Sequence, residues 1–228
     1  MEIIDYPELA AEAYTWLIKR VSEMTQPARS AGIHLTELIY CLTAGYYNRL
    51  MPLPIPKQGA ITMALGIALE RLLIPETERA KPGTYEGVDY SPDFRFHRDL
   101  PSELKTTRMS SRKTNDREFP ETWMQQIMGY CKAENKLEYG LAIVHLLGNY
   151  KPPFPEILAV KFQFTEAELK ANWDYLMWRK TVYIQAFADQ RPPTPTKWCQ
   201  SWECNNCQYA GSLAHCNLKV RLIKVEVK

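Results

Sequence analysis

The sequence predicts an α/β fold in which helices flank a mixed sheet, because helical and strand-like patterns alternate along its 228 residues. Apolar residues recur every three to four positions over residues 6–24, which is the spacing of an amphipathic helix. Residues 85–107 instead form short runs with strand-like alternation. Two further apolar runs precede a long helical pattern over residues 165–189, so the predicted class is mixed.

The N-terminal third is predicted to be helical. Thr36 can cap a helix that runs through Arg49 and contains Cys41, because its hydroxyl precedes a stretch with apolar periodicity. Prolines at positions 52, 54 and 56 interrupt that pattern, and residues 58–73 then form the next helix. We therefore expect Cys41 to lie on a helix near the N-terminus.

The rest of the chain alternates between strands and helices. Residues 93–96 and 100–106 flank a turn at 98–99, which predicts a hairpin. The polar run over 106–118 has no apolar period and is predicted to be a mobile loop. The elements that follow are a helix over 120–134, strands over 141–147 and 157–164 joined by a turn at 151–155, the helix over 165–189 and a proline-rich linker over 192–195.

Length and composition favour one soluble domain. The hydrophobic fraction is 46%, and no window approaches the roughly 20 apolar residues of a membrane span, so no membrane partner is expected. The first residues do not resemble a signal peptide, which predicts a cytoplasmic protein. Within the single domain, 1–57 would hold the N-terminal helices, 58–190 the core and 191–228 a cysteine-rich segment. A net charge of +2 neither requires nor excludes a nucleic-acid partner.

The predicted hairpin carries a set of residues with metal-dependent chemistry. Glu103 and Lys105 are two positions apart on a strand, so their side chains would project from the same face, and Asp93 on the partner strand can join them. The two carboxylates and the Leu104 carbonyl supply hard oxygen ligands for Mg²⁺ or Mn²⁺. Such an ion can polarise a phosphate and activate water, while Lys105 orients that water or offsets charge on phosphorus.

Three residues on predicted helices could support this site. Gln126 and Tyr130 are four positions apart and share a helix face, where Gln126 could position water or phosphate and Tyr130 the DNA. Glu70 could place a further carboxylate over the metal. Taken separately, Gln126 and Glu70 are also typical of ordinary surface positions, and the triad alone occurs often by chance.

The six cysteines favour metal ligation, redox chemistry or plain burial over disulfides, because the chain shows no export signal. Cys204 and Cys207 form a Cys-Xaa₂-Cys pair, and Cys216 follows. A tetrahedral thiolate site needs a fourth ligand, and Cys199 is the local candidate for a structural zinc site. Unligated thiols remain the third alternative, and Cys131 on its helix is interpreted as a buried small hydrophobic residue.

Basic and aromatic residues could contact a nucleic-acid strand, although basic loop residues are more often only solvated, and Tyr or Trp on a helix more often packs in the core. The candidates for phosphate contact are Arg49, Arg108, Arg112, Lys113 and Arg117, and those for base stacking are Tyr46, Tyr47 and Trp123.

The ordered motifs resemble those of RecB-family nucleases, most closely the CRISPR-associated and phage-encoded RecB-like exonucleases. The resemblance runs from about His34 to Cys216, through residues 66–70, 91–93, 103–105 and 126–130. It implies a PD-(D/E)XK restriction-endonuclease-like core that hydrolyses DNA, preferring single-stranded ends. The family commonly has a metal-binding histidine where this chain has Glu70, and Asp89 is the fallback if the second motif is misplaced.

The same resemblance implies a [4Fe-4S] cluster held by one cysteine from the N-terminal part and three from the C-terminal part, here Cys41, Cys204, Cys207 and Cys216. It also implies a role in trimming DNA before CRISPR spacer integration, with the integrase complex as a partner in antiviral defence, or in phage and host recombination and repair. A homo-oligomer is compatible with it. The rival interpretations are a non-catalytic nucleic-acid-binding module with a structural cluster or zinc, and a redox sensor.

Overall fold

The structure is a computed structural model that describes residues 7–25, 32–97, 99–146, 155–193, 199–210 and 216. Its alternating helices and strands confirm the mixed α/β class. The helices are α1 (Pro7–Thr25), α2 (Leu35–Ile39), α3 (Leu42–Leu50), α4 (Lys57–Leu73), α5 (Ser111–Asn115), α6 (Glu121–Glu134), α7 (Glu166–Ala188) and α8 (Ser201–Asn206), with a 3₁₀ turn at Glu76–Glu78. The strands are β1 (Ile33–His34), β2 (Gly83–Tyr85), β3 (Val88–Tyr90), β4 (Phe94–Phe96), β5 (Leu100–Thr107), β6 (Glu138–His145) and β7 (Glu156–Gln163).

A four-stranded mixed sheet in the order β4-β5-β6-β7 forms the centre of the fold. Strands β5 and β6 are parallel and are connected through α6, whereas the outer pairs are antiparallel, which includes the predicted hairpin. Glu103 pairs with Leu141 and Lys105 with Ile143. Paired residues share a face of the sheet, and Leu141 and Ile143 belong to the buried core. Glu103 and Lys105 therefore project from the face that carries this core.

A second sheet of three short strands, in the order β1-β3-β2, was not predicted. Strands β2 and β3 form a hairpin whose two turn residues, Glu86 and Gly87, both have positive φ values, 46° and 68°. Such a conformation matches the twist of the flanking strands. The strands are only two or three residues long, so the sequence contains too little alternation to reveal them.

The predicted helix through Cys41 is instead two helices, and its predicted cap is wrong. Thr36 lies inside α2, and the helix begins after His34, whose backbone amide donates to Glu37 Oε2 at 2.9 Å. The chain becomes extended between α2 and α3, so Cys41 lies at the junction. The reason is the buried Arg179 of α7, which donates to the carbonyls of Leu38, Ile39 and Tyr40 and so terminates α2.

The predicted mobile loop over residues 106–118 is also partly wrong. Strand β5 extends to Thr107, and α5 follows it. Buried His145 of β6 hydrogen-bonds the Met109 carbonyl through Nδ1 at 2.9 Å, and Ser111 is buried. The order of this segment therefore comes from a contact with another strand rather than from an apolar period of its own.

The remaining long elements match their predictions closely. Helix α7 begins with a reciprocal cap, in which the Glu168 amide donates to Thr165 Oγ1 at 3.2 Å and the Thr165 amide donates to Glu168 Oε2 at 2.8 Å. None of the described helices has the length and apolar character needed to cross a membrane. Residues 151–154 of the predicted turn and 194–195 of the predicted linker lie outside the described part of the chain. The division into three segments stays a prediction.

Candidate active site

The β4–β5 hairpin brings Asp93 beside the middle of β5. Its Oδ2 accepts a hydrogen bond of 2.8 Å from the backbone amide of Leu104, the residue between Glu103 and Lys105. Because side chains alternate along a strand, Glu103 and Lys105 lie on the same face, as predicted. The structure therefore assembles all three members of the sequence triad around one short segment.

Gln126 joins the pair on β5 from helix α6. Lys105 Nζ donates to Glu103 Oε1 at 2.7 Å and to Gln126 Oε1 at 2.8 Å, while Gln126 Nε2 donates to Glu103 Oε1 at 2.9 Å. One turn further along α6, the Tyr130 hydroxyl accepts from Gln126 Nε2 at 2.9 Å. The four side chains form one connected network, and Gln126 is its central member.

The sequence suggested that Tyr130 could position the DNA, but the structure does not place this side chain where it could touch DNA. Its side chain is almost fully buried, and its ring lies 6.1 Å from those of Tyr90 and Tyr139. Its visible contribution is to hold Gln126 in the orientation that serves Glu103 and Lys105. Tyr130 is therefore a positioning residue of this network.

Burial makes the site electrostatically unusual. The Glu103 side chain is 5% exposed, and its Oε2 has no hydrogen-bond partner among the described residues. Burial raises the pKa of Glu103, and burial together with the Glu103 charge raises the pKa of Asp93 to about 8. Burial opposes the charge of Lys105, yet Glu103 keeps the pKa of Lys105 above its ordinary value. A cation bound beside these carboxyl groups would favour their ionised forms and so lower both raised pKa values.

Asp93, Glu103 and Leu104 line an open cavity of about 550 Å³ that Glu70 also borders. Glu70 lies on α4, and its Oε1 accepts from Arg79 Nη1 at 2.6 Å. As the side chains stand, no group of three or more His, Cys, Asp or Glu residues in the described part of the chain is set to hold a metal ion. Asp93, Glu103 and Glu70 nevertheless border one cavity, and carboxylate oxygens are the donor type that Mg²⁺ and Mn²⁺ prefer.

The fallback residue Asp89 lies elsewhere. It belongs to β3, where its Oδ1 accepts from Thr84 Oγ1 at 2.7 Å, and it does not contribute to the lining of this cavity. Asp93 is therefore the better placed of the two aspartates.

The predicted DNA contacts divide into two groups. Tyr46 and Tyr47 are buried in the core, so of the two interpretations core packing holds for them and base stacking does not. Arg49 is engaged by Glu37 at 2.7 Å and by the Gly32 carbonyl. Trp123 is partly buried against the same core. Arg108 borders the carboxylate cavity, and Arg112 and Arg117 are exposed. The side chain of Lys113 lies outside the described residues.

Five of the six cysteines border a second cavity, of about 630 Å³, between the α2–α3 junction and α8. Cys199 Sγ lies 3.3 Å from Cys204 Sγ, and Glu203 Oε2 accepts from the backbone amide of Cys41 at 2.8 Å. The five are Cys41, Cys199, Cys204, Cys207 and Cys216. The sequence prediction overlooked Glu203, although its position three residues after Gln200 is typical of a helix N-terminus.

The sixth cysteine, Cys131, is separate from this group. It is fully buried in the core, where its thiol donates to the Glu138 carbonyl at 3.7 Å and burial raises its pKa to about 12. Both observations agree with its interpretation as a small buried hydrophobic residue.

Comparison with known proteins identifies a similar fold, whereas the chemistry has to be inferred from the residues of the site. No protein-family model matches this chain, and no curated protein matches it. Among solved structures, SSO0001 is similar with 16% identity and a TM-score of 0.53, over 90% of this chain and 96% of that one. The chain therefore shares the fold of SSO0001.

Two solved exonucleases are also similar. A phage-related exonuclease from Haemophilus somnus 129PT has 10% identity and a TM-score of 0.46, over 71% of this chain and 97% of its own. The alkaline exonuclease LHK-Exo from Laribacter hongkongensis has 10% identity and a TM-score of 0.49, over 72% of this chain and 93% of its own.

Proposed function

We propose that this chain is a metal-dependent deoxyribonuclease of the PD-(D/E)XK type, an exonuclease that acts on single-stranded DNA ends. The observation that carries the proposal is the network of Glu103, Lys105 and Gln126 beside Asp93, in which Glu103 and Asp93 line a cavity open to solvent. Carboxylates, an ammonium and an amide in this arrangement suit hydrolysis of a phosphodiester bond.

The residues present fit a divalent cation. Glu103 Oε2 is buried without a partner among the described residues, and burial, followed by the charge of Glu103, raises the pKa of Asp93. Asp93, Glu103 and the Leu104 carbonyl would hold the ion, with Glu70 as a further carboxylate. When bound there, Mg²⁺ or Mn²⁺ would polarise the scissile phosphate and lower the pKa of a water molecule.

The chain's own side chains would provide the remaining chemistry. Lys105 Nζ is 2.7 Å from Glu103 Oε1 and 2.8 Å from Gln126 Oε1, so two acceptors hold its ammonium in one orientation. Its third hydrogen remains for a water or a phosphate oxygen, where the positive charge would offset the charge that develops on phosphorus. Gln126 keeps the ammonium oriented, and Arg108 at the cavity border is available for a flanking phosphate.

We also propose that the second cavity holds a [4Fe-4S] cluster, with a structural zinc ion as the alternative. Five thiols around one cavity form the soft donor set that both groups require. A bound group would join the α2–α3 junction to α8, and so would connect distant parts of the chain. The activity would serve either DNA trimming before CRISPR spacer integration or recombination and repair.

The nuclease is tested with end-labelled single-stranded and duplex DNA, incubated with Mn²⁺ or Mg²⁺. We expect Lys105→Ala to lower the cleavage rate by about 100-fold or more, because it removes the oriented ammonium. Lys161→Ala is the matched control, since Lys161 lies on β7 of the same sheet, is 56% exposed and pairs with Glu138 outside the carboxylate cavity. Equal cleavage by wild type and Lys105→Ala would refute the assignment. DNA binding without cleavage by wild type would favour the binding module.

A further inference from the structure

One thiol in the second cavity exceeds what a four-ligand site needs, and its contacts distinguish it from the others. Cys199 Sγ lies 3.3 Å from Cys204 Sγ and is also hydrogen-bonded to the Cys41 side chain. Cys199 therefore lies between the cysteine from the N-terminal part of the chain and the first cysteine of the Cys-Xaa₂-Cys pair.

A single carboxylate fixes this arrangement. Glu203 Oε2 accepts from the backbone amide of Cys41 at 2.8 Å, and Oε1 of the same side chain accepts from the backbone amide of Gln200 at 3.0 Å. Gln200 directly follows Cys199, so Glu203 holds the backbones next to both thiols. The Gln200 side chain in turn donates to Glu121 Oε2 at 3.2 Å, which connects the segment to the start of α6.

The spacing of the cysteines supports the same choice. Cys199, Cys204 and Cys207 form a Cys-Xaa₄-Cys-Xaa₂-Cys run, and Cys41 is a fourth thiol from a distant position. The same run occurs in plant-type ligation of [2Fe-2S] clusters, where the fourth cysteine follows the run, whereas Cys41 precedes it here. Eight residues separate Cys207 from Cys216, which is a longer interval than either of the two within the run.

We propose that the metal-binding thiols are Cys41, Cys199, Cys204 and Cys207, and that Cys216 borders the cavity without being a ligand. The inference rests on the proposed thiol centre and is independent of whether the bound group is an iron-sulfur cluster or zinc. It differs from the ligand set that the family resemblance implies, because Cys199 replaces Cys216.

The test compares serine substitutions at single cysteines in the full chain, purified anaerobically and reconstituted with iron and sulfide. The two variants that decide the question are Cys199→Ser and Cys216→Ser. Cys204→Ser is the control that should lose bound metal, and Cys131→Ser is the control at a cysteine remote from the cavity. Iron, acid-labile sulfide and zinc are measured per chain, together with visible absorption. We expect Cys199→Ser and Cys204→Ser to lower bound metal by about ten-fold or more, and Cys216→Ser to retain it.

Two results would overturn the proposed ligand set: full metal content in Cys199→Ser, or a loss in Cys216→Ser as large as that in Cys204→Ser. Thermal midpoints of the chelated proteins separate ligand loss from misfolding, because metal-free Cys199→Ser should melt close to metal-free wild type. A wild-type chain that takes up neither iron nor zinc would refute the thiol centre itself. A loaded wild type with an equally loaded Cys199→Ser would refute only the choice of ligands.

Discussion

The backbone amide of Leu104 donates a hydrogen bond of 2.8 Å to Asp93 Oδ2. This contact holds the carboxyl group of Asp93 against β5, next to buried Glu103. The same position deprives Asp93 of water, and burial followed by the Glu103 charge raises its pKa to about 8. In the metal-free protein at neutral pH, Asp93 is thus mostly protonated, and binding of a cation would release its proton.

Asp93→Asn should therefore change the pH dependence of stability in the metal-free protein. The folded pKa of about 8 lies above the ordinary value of 3.8, so the favourable contribution of Asp93 is complete below about 4 and lost as pH rises through 8. Within this window the free energy of unfolding of wild type should fall relative to Asp93→Asn, with a slope of up to about 1.4 kcal/mol per pH unit.

Chemical denaturation with a chelator at pH 5 and pH 7 measures this difference. Asp174→Asn is the control, because Asp174 is 60% exposed on α7 and pairs with Lys170 at the surface. An identical difference between wild type and Asp93→Asn at both pH values would mean that Asp93 titrates normally.

Gln126→Leu should destabilise the fold as well as the active site. The substitution removes the donor to Glu103 and Tyr130 and the acceptor for Lys105, all in a buried setting. We expect a loss of about 1–3 kcal/mol in the free energy of unfolding, measured by urea denaturation. Gln125→Leu is the matched control and should change it by about 0.5 kcal/mol or less, because among the described residues its side-chain amide bonds exposed Glu121 alone. Equal effects at the two positions would contradict the network.

Glu70→Ala should weaken divalent-metal binding without abolishing it. Glu70 borders the carboxylate cavity but is 36% exposed and already pairs with Arg79, so it is a peripheral donor. We expect about a ten-fold higher dissociation constant for Mn²⁺ in titration calorimetry, compared with loss of measurable binding in Asp93→Asn. Glu76→Ala is the control, because Glu76 bonds the same arginine and is 86% exposed outside the cavity. An unchanged constant in Glu70→Ala would remove Glu70 from the ligand set.

The cluster of Asp93, Glu103 and Lys105 could be predicted from the sequence because its geometry is local. Alternation along one strand places Glu103 and Lys105 on the same face. The β4–β5 hairpin, in which three residues of each strand pair, brings Asp93 to them. The four-residue spacing of Gln126 and Tyr130 likewise fixes a shared helix face. What the spacing could not reveal was burial, which makes Tyr130 a support for Gln126 rather than a contact for DNA.

The errors arise where distant residues decide local structure. The break between α2 and α3 depends on Arg179, which lies more than a hundred positions away in the sequence. The buried positions of Tyr46 and Tyr47 depend on their packing against α7 and on Tyr209, which no local period encodes. The contact of Cys199 with Cys41 likewise joins distant parts of the chain, so no local pattern could predict it.

Arg179→Met should test whether this long-range contact positions the thiol centre. Arg179 is almost fully buried and donates to the carbonyls of Leu38, Ile39 and Tyr40, immediately before Cys41. Methionine retains the bulk but leaves those carbonyls without their donor, so we expect a loss of about 2–4 kcal/mol in the free energy of unfolding. Metal bound by the thiols should fall in parallel, because Cys41 would no longer be held at the end of α2.

Lys170→Met on the same helix is the control, since Lys170 is 68% exposed and, within the described part of the chain, pairs at the surface with Asp174. Urea denaturation measures the loss of stability in both variants. Metal analysis, at a temperature where each variant remains folded, measures the loss of bound metal separately. A destabilised Arg179→Met that keeps its full metal content would show that Cys41 is positioned by Glu203 without help from Arg179, because the Glu203 bond to the Cys41 amide does not involve α7.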